Sequence, residues 1–318
     1  MSDPNLYTVG WICAIPAEYV AAQEFLDEEH DGPAYLPPPV RNDYSLGKMG
    51  KHNVVIATLP MGEYGNVSAA RVAEEMRYGF PNIRIGLMVG IGGGVPTRHD
   101  IRLGDVVVST PSNGLGGVLQ YDFGMTIQGK SFQRTSFLDQ PPTALRTAVT
   151  GIQAQYERKG HRLEDAVNDV LARNRRLRSR YKRPDPSSDK LYRSEHIGDD
   201  PSYLIKRKER DEEDDNPAIH YGLIASGSQL MKDALMRDKL AKELDVLCFE
   251  MEAAGLMNNF PCLVIRGISN YCDSHESKEW QGYAALIAAA YAKDLLSRIT
   301  PYQVEAEKKL SEIQTTGQ

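Results

Sequence analysis

No stretch of about 18 apolar residues, the length a membrane-spanning helix needs, occurs in this 318-residue sequence; the most apolar candidate, around 85–95, is broken by glycine. Residues 1–7 are polar and lead straight into a strand-like stretch, leaving no room for the basic and apolar regions of a secretion signal. The expectation is a cytoplasmic protein. Cysteine is scarce, and Cys13, Cys248, Cys262 and Cys272 form neither paired Cys-x-x-Cys motifs nor a cluster with histidine. That excludes the usual zinc signatures and leaves buried thiols as the reading of all four. A basic excess is lacking too: the net charge is −6, the wrong sign for the phosphate contacts of a general nucleic-acid binder. Neither a Gly-x-Gly-x-x-Gly dinucleotide fingerprint nor a Walker lysine is present, and no repeat is evident. What is there is 41% hydrophobic and 25% charged, the balance of an ordinary globular protein long enough to bury a sizeable core.

Apolar, β-branched runs at 7–14, 54–59, 85–89, 106–109, 219–225, 246–249 and 262–268 alternate with helical patterns at 17–28, 65–77, 227–244, 252–258 and 282–299. Continuous apolar runs suit strands buried on both faces. Their alternation with helices predicts an α/β fold, one domain over 1–302 with a mostly parallel, mixed central sheet flanked by helices. Between 158 and 215 the pattern breaks. A basic helix-like stretch at 173–183 and an acidic run at 211–215 read as a solvated or partly disordered insertion. Strands resume at Ile219, so the excursion leaves and re-enters one domain. Residues 303–318 are polar and are expected to fray.

Four places carry chemistry. Gly90-Ile91-Gly92-Gly93-Gly94 follows a strand, where glycines let backbone N–H groups approach a ligand; a tight turn without function would look the same. Glu250 and Glu252 stand at i, i+2 where an apolar strand gives way to a helix, so in extended backbone they point the same way. Two acids beside hydrophobic surface cost desolvation unless they meet hydroxyls, donors or cations, and a vicinal diol such as that of ribose is a natural partner. The plainer explanation is an acid pair favoured by a helix N-terminus. From Ile265 through Arg266, Asn270 and Asp273 to His275, a buried strand opens into a polar loop at the C-terminal edge of the sheet, where open α/β sheets bind ligands. Glu18 follows the first strand, at a position that a helix dipole alone would also explain.

With Gly222-Leu223-Ile224-Ala225-Ser226-Gly227 and Gln120-Tyr121-Asp122-Phe123-Gly124 added, these pieces resemble the nucleoside phosphorylase and nucleosidase superfamily. The likeness covers 7–299 except the insertion. It is closest to the methylthioadenosine/S-adenosylhomocysteine nucleosidase branch and to the purine nucleoside phosphorylase-like domains of fungal multidomain proteins. The resemblance implies a nucleoside phosphorylase-like fold in which Glu18 orients the attacking water. Met251 and Glu252 would lie under the ribose and bind its hydroxyls, with Glu250 beside them. Leu230 and Met231 would contact the base, Gly90, Ile91, Gly92 and Gly93 would form the glycine-rich loop, and Arg266 would support the carboxylates.

Departures from the family pattern bear on the reaction. Ile91 stands where Ser or Thr is usual, and Met88 or Val89 where hexameric phosphorylases place an arginine on phosphate; a second such arginine near the first strand is also missing. A dianionic phosphate in a dry pocket needs charge-assisted donors, so water is the expected acceptor. Asn270 stands where the nucleosidases have an Asp that protonates purine N7, and an amide cannot act as that general acid. Either the base is a 6-oxopurine, for which some trimeric phosphorylases use asparagine, or Asp273 takes the acid role, or the chain is an inactive variant, natural or engineered. The expectation is a purine nucleoside N-ribohydrolase needing no metal or other cofactor. Its partner would be a small-molecule purine nucleoside, 6-oxopurine if Asn270 reads the base, with no nucleic acid or membrane partner and with assembly as a homo-oligomer. A phosphorylase, or a non-catalytic nucleoside-binding or signalling module, is the alternative.

Overall fold

The computed structural model describes residues 1–313 apart from 34, 39, 212 and 276. Its strands are β1 (Val9–Cys13), β2 (Glu28–His30), β3 (Tyr44–Met49), β4 (His52–Thr58), β5 (Ile85–Gly94), β6 (Val106–Ser109), β7 (Val118–Gln120), β8 (Gly124–Met125), β9 (Gln133–Arg134), β10 (Ile219–Ser226), β11 (Val246–Glu250) and β12 (Cys262–Asn270). The helices are α1 (Pro16–Glu24), α2 (Asn66–Gly79), α3 (Thr143–Lys159), α4 (Leu163–Arg173), α5 (Arg178–Tyr181), α6 (Ala234–Leu244), α7 (Gln281–Arg298) and α8 (Pro301–Glu305).

Apart from the β8–β9 pair, these strands form one ten-stranded sheet in the order β11-β10-β6-β12-β5-β1-β4-β3-β2, with β7 on β10. Parallel pairs join β1 to β4 and β5, β12 to β5, and β10 to β6, β7 and β11, while β12 runs antiparallel to β6. The sheet is therefore mixed and mostly parallel, between helices. It also closes on itself: β11 pairs antiparallel with the far end of β5, Cys248 opposite Gly94 and Phe249 opposite Gly93, so β5, β12, β6, β10 and β11 form a ring. Alanine-rich α7 packs on this ring with residues 282–292 all buried. Small side chains let it come close, and at Gly267 of β12 a β-carbon would lie 1.9 Å from the Ala284 carbonyl oxygen.

Several expectations need correction. The glycine run is strand, not loop: β5 continues through Gly94, and its missing side chains leave room for β11 to pair across it. Residues 252–258 hold only a 3-10 turn at Ala253–Gly255, because side chains capture the turn's amides: Ala253 N–H goes to Glu250, Ala254 N–H to Ser226 and Gly255 N–H to Asn66. The helix expected from 227 begins at Ala234, where Asp233 caps the Met236 amide.

Among its described residues the charged excursion is packed on the core. Leu163, Val167, Val170 and Leu171 of α4 are buried, continuing the apolar face that Leu145, Val149, Ile152 and Tyr156 present on α3, and Tyr181, Leu191 and Tyr192 are buried beyond them. Charges on the outward faces hide this stripe from any reading by composition. Nor does the tail fray as far as residue 313, since Val304 and Leu310 are buried and the Leu310 amide donates to Ile83 O at 2.8 Å; residues 314–318 lie outside the described residues. All four cysteines are buried and free. Among the described residues no helix is long and apolar enough to cross a membrane.

Candidate active site

The folded sheet brings three acids, from two distant parts of the chain, onto one guanidinium. Glu18 sits in the first turn of α1, behind Pro16, a residue suited to helix starts. Its Oε2 reaches back to accept from the Ala14 and Ile15 amides at 2.6 and 3.2 Å, which is the capping service expected of an early helical acid. Its Oε1 does something else and accepts from the Ile91 amide of β5 at 2.8 Å. Gly90 makes this approach possible: a β-carbon there would stand 2.2 Å from Glu18 Oε1 and 2.7 Å from Arg266 Nη1.

Glu250 ends β11 and accepts from the Glu252 and Ala253 amides at 3.1 and 3.0 Å. Glu252, two residues on, accepts from the Gly65 amide at the start of α2 and from the Met251 amide, both at 3.3 Å. The backbone at Glu252 is helical rather than extended, so the two acids are aligned by this turn and not by strand alternation; Met251 between them is half-buried. From β12, Arg266 Nη2 binds Glu250 directly and lies 3.5 Å from Glu252, while Nη1 is 3.9 Å from Glu18 and donates to Ile91 O at 3.3 Å. Ile91 thus offers its backbone, not its side chain, to the site.

The cluster is dry, with side-chain exposures of 1% for Arg266 and Glu250, 3% for Glu18 and 7% for Glu252. One cation cannot neutralise three carboxylates, and a buried charge without a counterpart takes up a proton instead. Burial accordingly pushes Glu252 up to about 7, with Arg266 opposing and Glu250 and Glu18 adding to the rise. Burial raises Glu18 as well, against Arg266 and the three backbone donors. Although burial disfavours its charge, Arg266 is held above its ordinary range by Glu250, Glu252 and Glu18. A carboxyl such as Glu252 that exchanges its proton near neutrality, in a water-poor place, suits proton transfer and hydroxyl binding.

At the end of β12, Asn270 Oδ1 accepts from the Cys272 amide at 3.0 Å and Nδ2 donates to Ser269 Oγ at 3.2 Å. A backbone N–H can only donate, so this contact orients the amide and leaves the second Nδ2 hydrogen for a ligand. Asp273 accepts from the His275 amide at 2.9 Å and lies 3.6 Å from its ring Nδ1; it is engaged inside the loop. Leu230 and Met231 line a cleft of about 660 Å³ whose wall includes Tyr121, Phe132 and Met236. None of Glu18, Glu250, Glu252, Arg266 and Asn270 lines that cleft, and Tyr121 in its wall contacts β11, the strand that ends in Glu250. Its ring meets Phe249 edge-on at 5.4 Å, one residue before Glu250, and burial pushes its phenol up to about 12 with Asp122, Cys272 and Glu250 contributing. Another cleft, of about 550 Å³ between 111–119 and 136–140, is lined by no charged side chain but Asp139.

Sequence reasoning missed Gly65 and the Asn66–Ser226 bracket that holds the turn behind Glu252. Asn66 Oδ1 accepts from Ser226 Oγ and the Gly255 amide at 3.3 and 3.1 Å, across separations of 160 and 189 residues that no local pattern records. Gly65, at the head of the helix pattern 65–77, and Ser226, in the run Gly222–Gly227 that carries the resemblance, were the available signals.

A family model described as "Phosphorylase superfamily" matches residues 8–299. Over 310 residues the chain is 45% identical to a nucleotide-binding leucine-rich repeat (NLR)-like protein of Hyaloscypha variabilis, a match that covers 96% of this chain and 30% of that protein. It is 24% identical over 302 residues to a 5'-methylthioadenosine/S-adenosylhomocysteine nucleosidase of Mycobacterium bovis, covering 92% and 97% of the two chains. Among solved structures, the 5'-methylthioadenosine/S-adenosylhomocysteine nucleosidase of S. pneumoniae with a transition-state inhibitor aligns with a TM-score of 0.59 at 19% identity, over 92% of this chain and 100% of that one. That last similarity is one of fold.

Proposed function

The chain belongs to the phosphorylase superfamily, and from that premise we propose that it is a purine nucleoside N-ribohydrolase, releasing free base and ribose. The observation that carries this reading is the carboxylate of Glu18, seated on the Ile91 amide in the space left by Gly90. A phosphate entering there would meet acids and lose a backbone donor, whereas a water finds a base. In this mechanism Glu18 takes a proton from water as the oxygen adds to the anomeric carbon and the carbon–nitrogen bond breaks. Glu252, beside Met251 and Glu250, binds the ribose hydroxyls and stabilises the positive charge that develops on the sugar. Leu230 and Met231 flank the base. Asn270 Nδ2 donates a hydrogen bond to an acceptor on the base edge, N7 or O6, and the leaving base collects its proton from solvent. The donor favours a 6-oxopurine.

Incubating the protein with inosine, guanosine, adenosine and methylthioadenosine, with and without phosphate, tests the proposal. Free base and ribose should appear at the same rate in both; ribose 1-phosphate, or a requirement for phosphate, would assign a phosphorylase. One observation favours a non-catalytic nucleoside-binding module, the amide at position 270 in place of an acid, and it would be established by saturable nucleoside binding with no base released.

A further inference from the structure

Past α4, the charged excursion makes polar contacts on the loop that leaves β12 after Asn270, as it does on residues 100–105. Tyr271, whose side chain turns away from the carboxylates, donates its hydroxyl to Asp189 and accepts from Arg207 Nη1 at 2.8 Å. Arg207 Nη2 closes this triangle on Asp189 at 2.7 Å. Four residues along, the His275 ring stacks on Tyr192 with centroids 3.9 Å apart and planes 11° from parallel, and its Nε2 pairs with Gly198 O. The loop is therefore held at both ends by residues of the excursion. Between those anchors Cys272 has φ +55°, a left-handed conformation that a side chain other than glycine adopts only when its surroundings impose it. That conformation carries the Cys272 amide to Asn270 Oδ1.

We infer that the excursion is a clamp whose residues Asp189, Tyr192 and Arg207 position the Asn270 amide, so that its oxygen faces the Cys272 N–H and its NH₂ faces the ligand. This rests on the reading of Asn270 as the group that meets the base. These are positioning residues. They act through Tyr271 and His275 without touching substrate, and with the clamp released the loop relaxes from its left-handed turn and the amide loses its fixed orientation.

The test uses the full chain with Tyr192→Ala and Arg207→Gln made singly, and Tyr192→Phe as the variant that keeps the stack. Amide hydrogen exchange in a peptide spanning 270–275 should speed up by roughly ten- to a hundredfold in the first two, as local opening without global unfolding allows, while a peptide from α7 stays protected and Tyr192→Phe behaves as the parent. In turnover assays kcat should fall by on the order of tenfold or more, as misplacement of a contact group predicts, with the discrimination between inosine and adenosine narrowed. Unchanged exchange at 270–275 in both variants, or an equal rise in the α7 peptide in both, would overturn the clamp. Faster local exchange in a chain that releases base from no nucleoside would uphold the clamp and sink the hydrolase reading.

Discussion

At Glu18 one carboxylate oxygen serves the helix and the other serves β5, and only the second use bears on chemistry. Glu252 instead takes the Gly65 and Met251 amides while facing Arg266. A carboxyl raised from 4.5 to about 7 binds its proton more tightly in the folded chain than in the unfolded one. Its contribution to stability is present below about 4.5 and is lost as pH rises through about 7. The wild type should therefore lose several degrees of melting temperature between about pH 5 and pH 8, and Glu252→Gln should lose less; equal losses would show that Glu252 does not hold the proton. In turnover the same substitution should cost more than about a hundredfold, the scale of removing a group that stabilises charge in a transition state.

Asn270 gives a second test. With its oxygen committed to Cys272, it offers a ligand only a donor, whereas aspartate offers only acceptors when ionised. Cleavage of inosine or guanosine should exceed that of adenosine by on the order of ten- to a thousandfold, the range for a mismatched polar group left unpaired in a buried site. Asn270→Asp should move the preference toward adenosine. Should it instead revive a dead protein on every purine nucleoside, the asparagine is a lesion in a general acid.

Among the elements, β5 does the most. It pairs with β1, β12 and β11, and its glycines admit protein side chains at close quarters. Gly90→Ala should expel the Glu18 carboxylate, because a methyl group 2.2 Å from Oε1 has no room. Overpacking of this kind costs about 1–3 kcal/mol, which denaturant titration would read, and turnover should fall at least as far as in a variant lacking the Glu18 carboxylate. An active, equally stable Gly90→Ala would mean that Glu18 binds elsewhere in solution. The 3-10 turn Ala253–Gly255 teaches a related lesson. An acid pair ahead of a polar-apolar pattern reads as a helix start, yet Glu250, Ser226 and Asn66 divert the donors, and competition for amides from distant residues is invisible to local periodicity.

For the whole molecule, the charged excursion changes from an ornament to a component. Asp105 is 1% exposed and takes Arg210, His220 and the Ala218 and Arg102 amides; although burial pushes the other way, Arg210 and His220 hold it below its ordinary range. Excising 173–215 would strip Arg210 from a buried charge, a loss on the order of 3–5 kcal/mol, and would remove the buried Tyr181, Leu191 and Tyr192. The shortened chain should melt well below the parent or fail to stay soluble, and a cooperative melt at the parental temperature would show the excursion to be dispensable.

What the sequence determined by itself was the alternation of buried strands with helices and the identity of the acids at 18, 250 and 252, since apolar runs and carboxylates beside them are local facts. Only the folded sheet brings β11 across the end of β5 to close a ring, and only there does Arg266, expected from the resemblance to support the carboxylates, meet all three acids. Tertiary structure decided too that a segment rich in charge buries a face against α7 and grips the loop after Asn270. Each of these depends on groups tens to hundreds of residues apart, held by hydrogen bonds and packing whose partners are chosen by the closed sheet rather than by their neighbours in the chain.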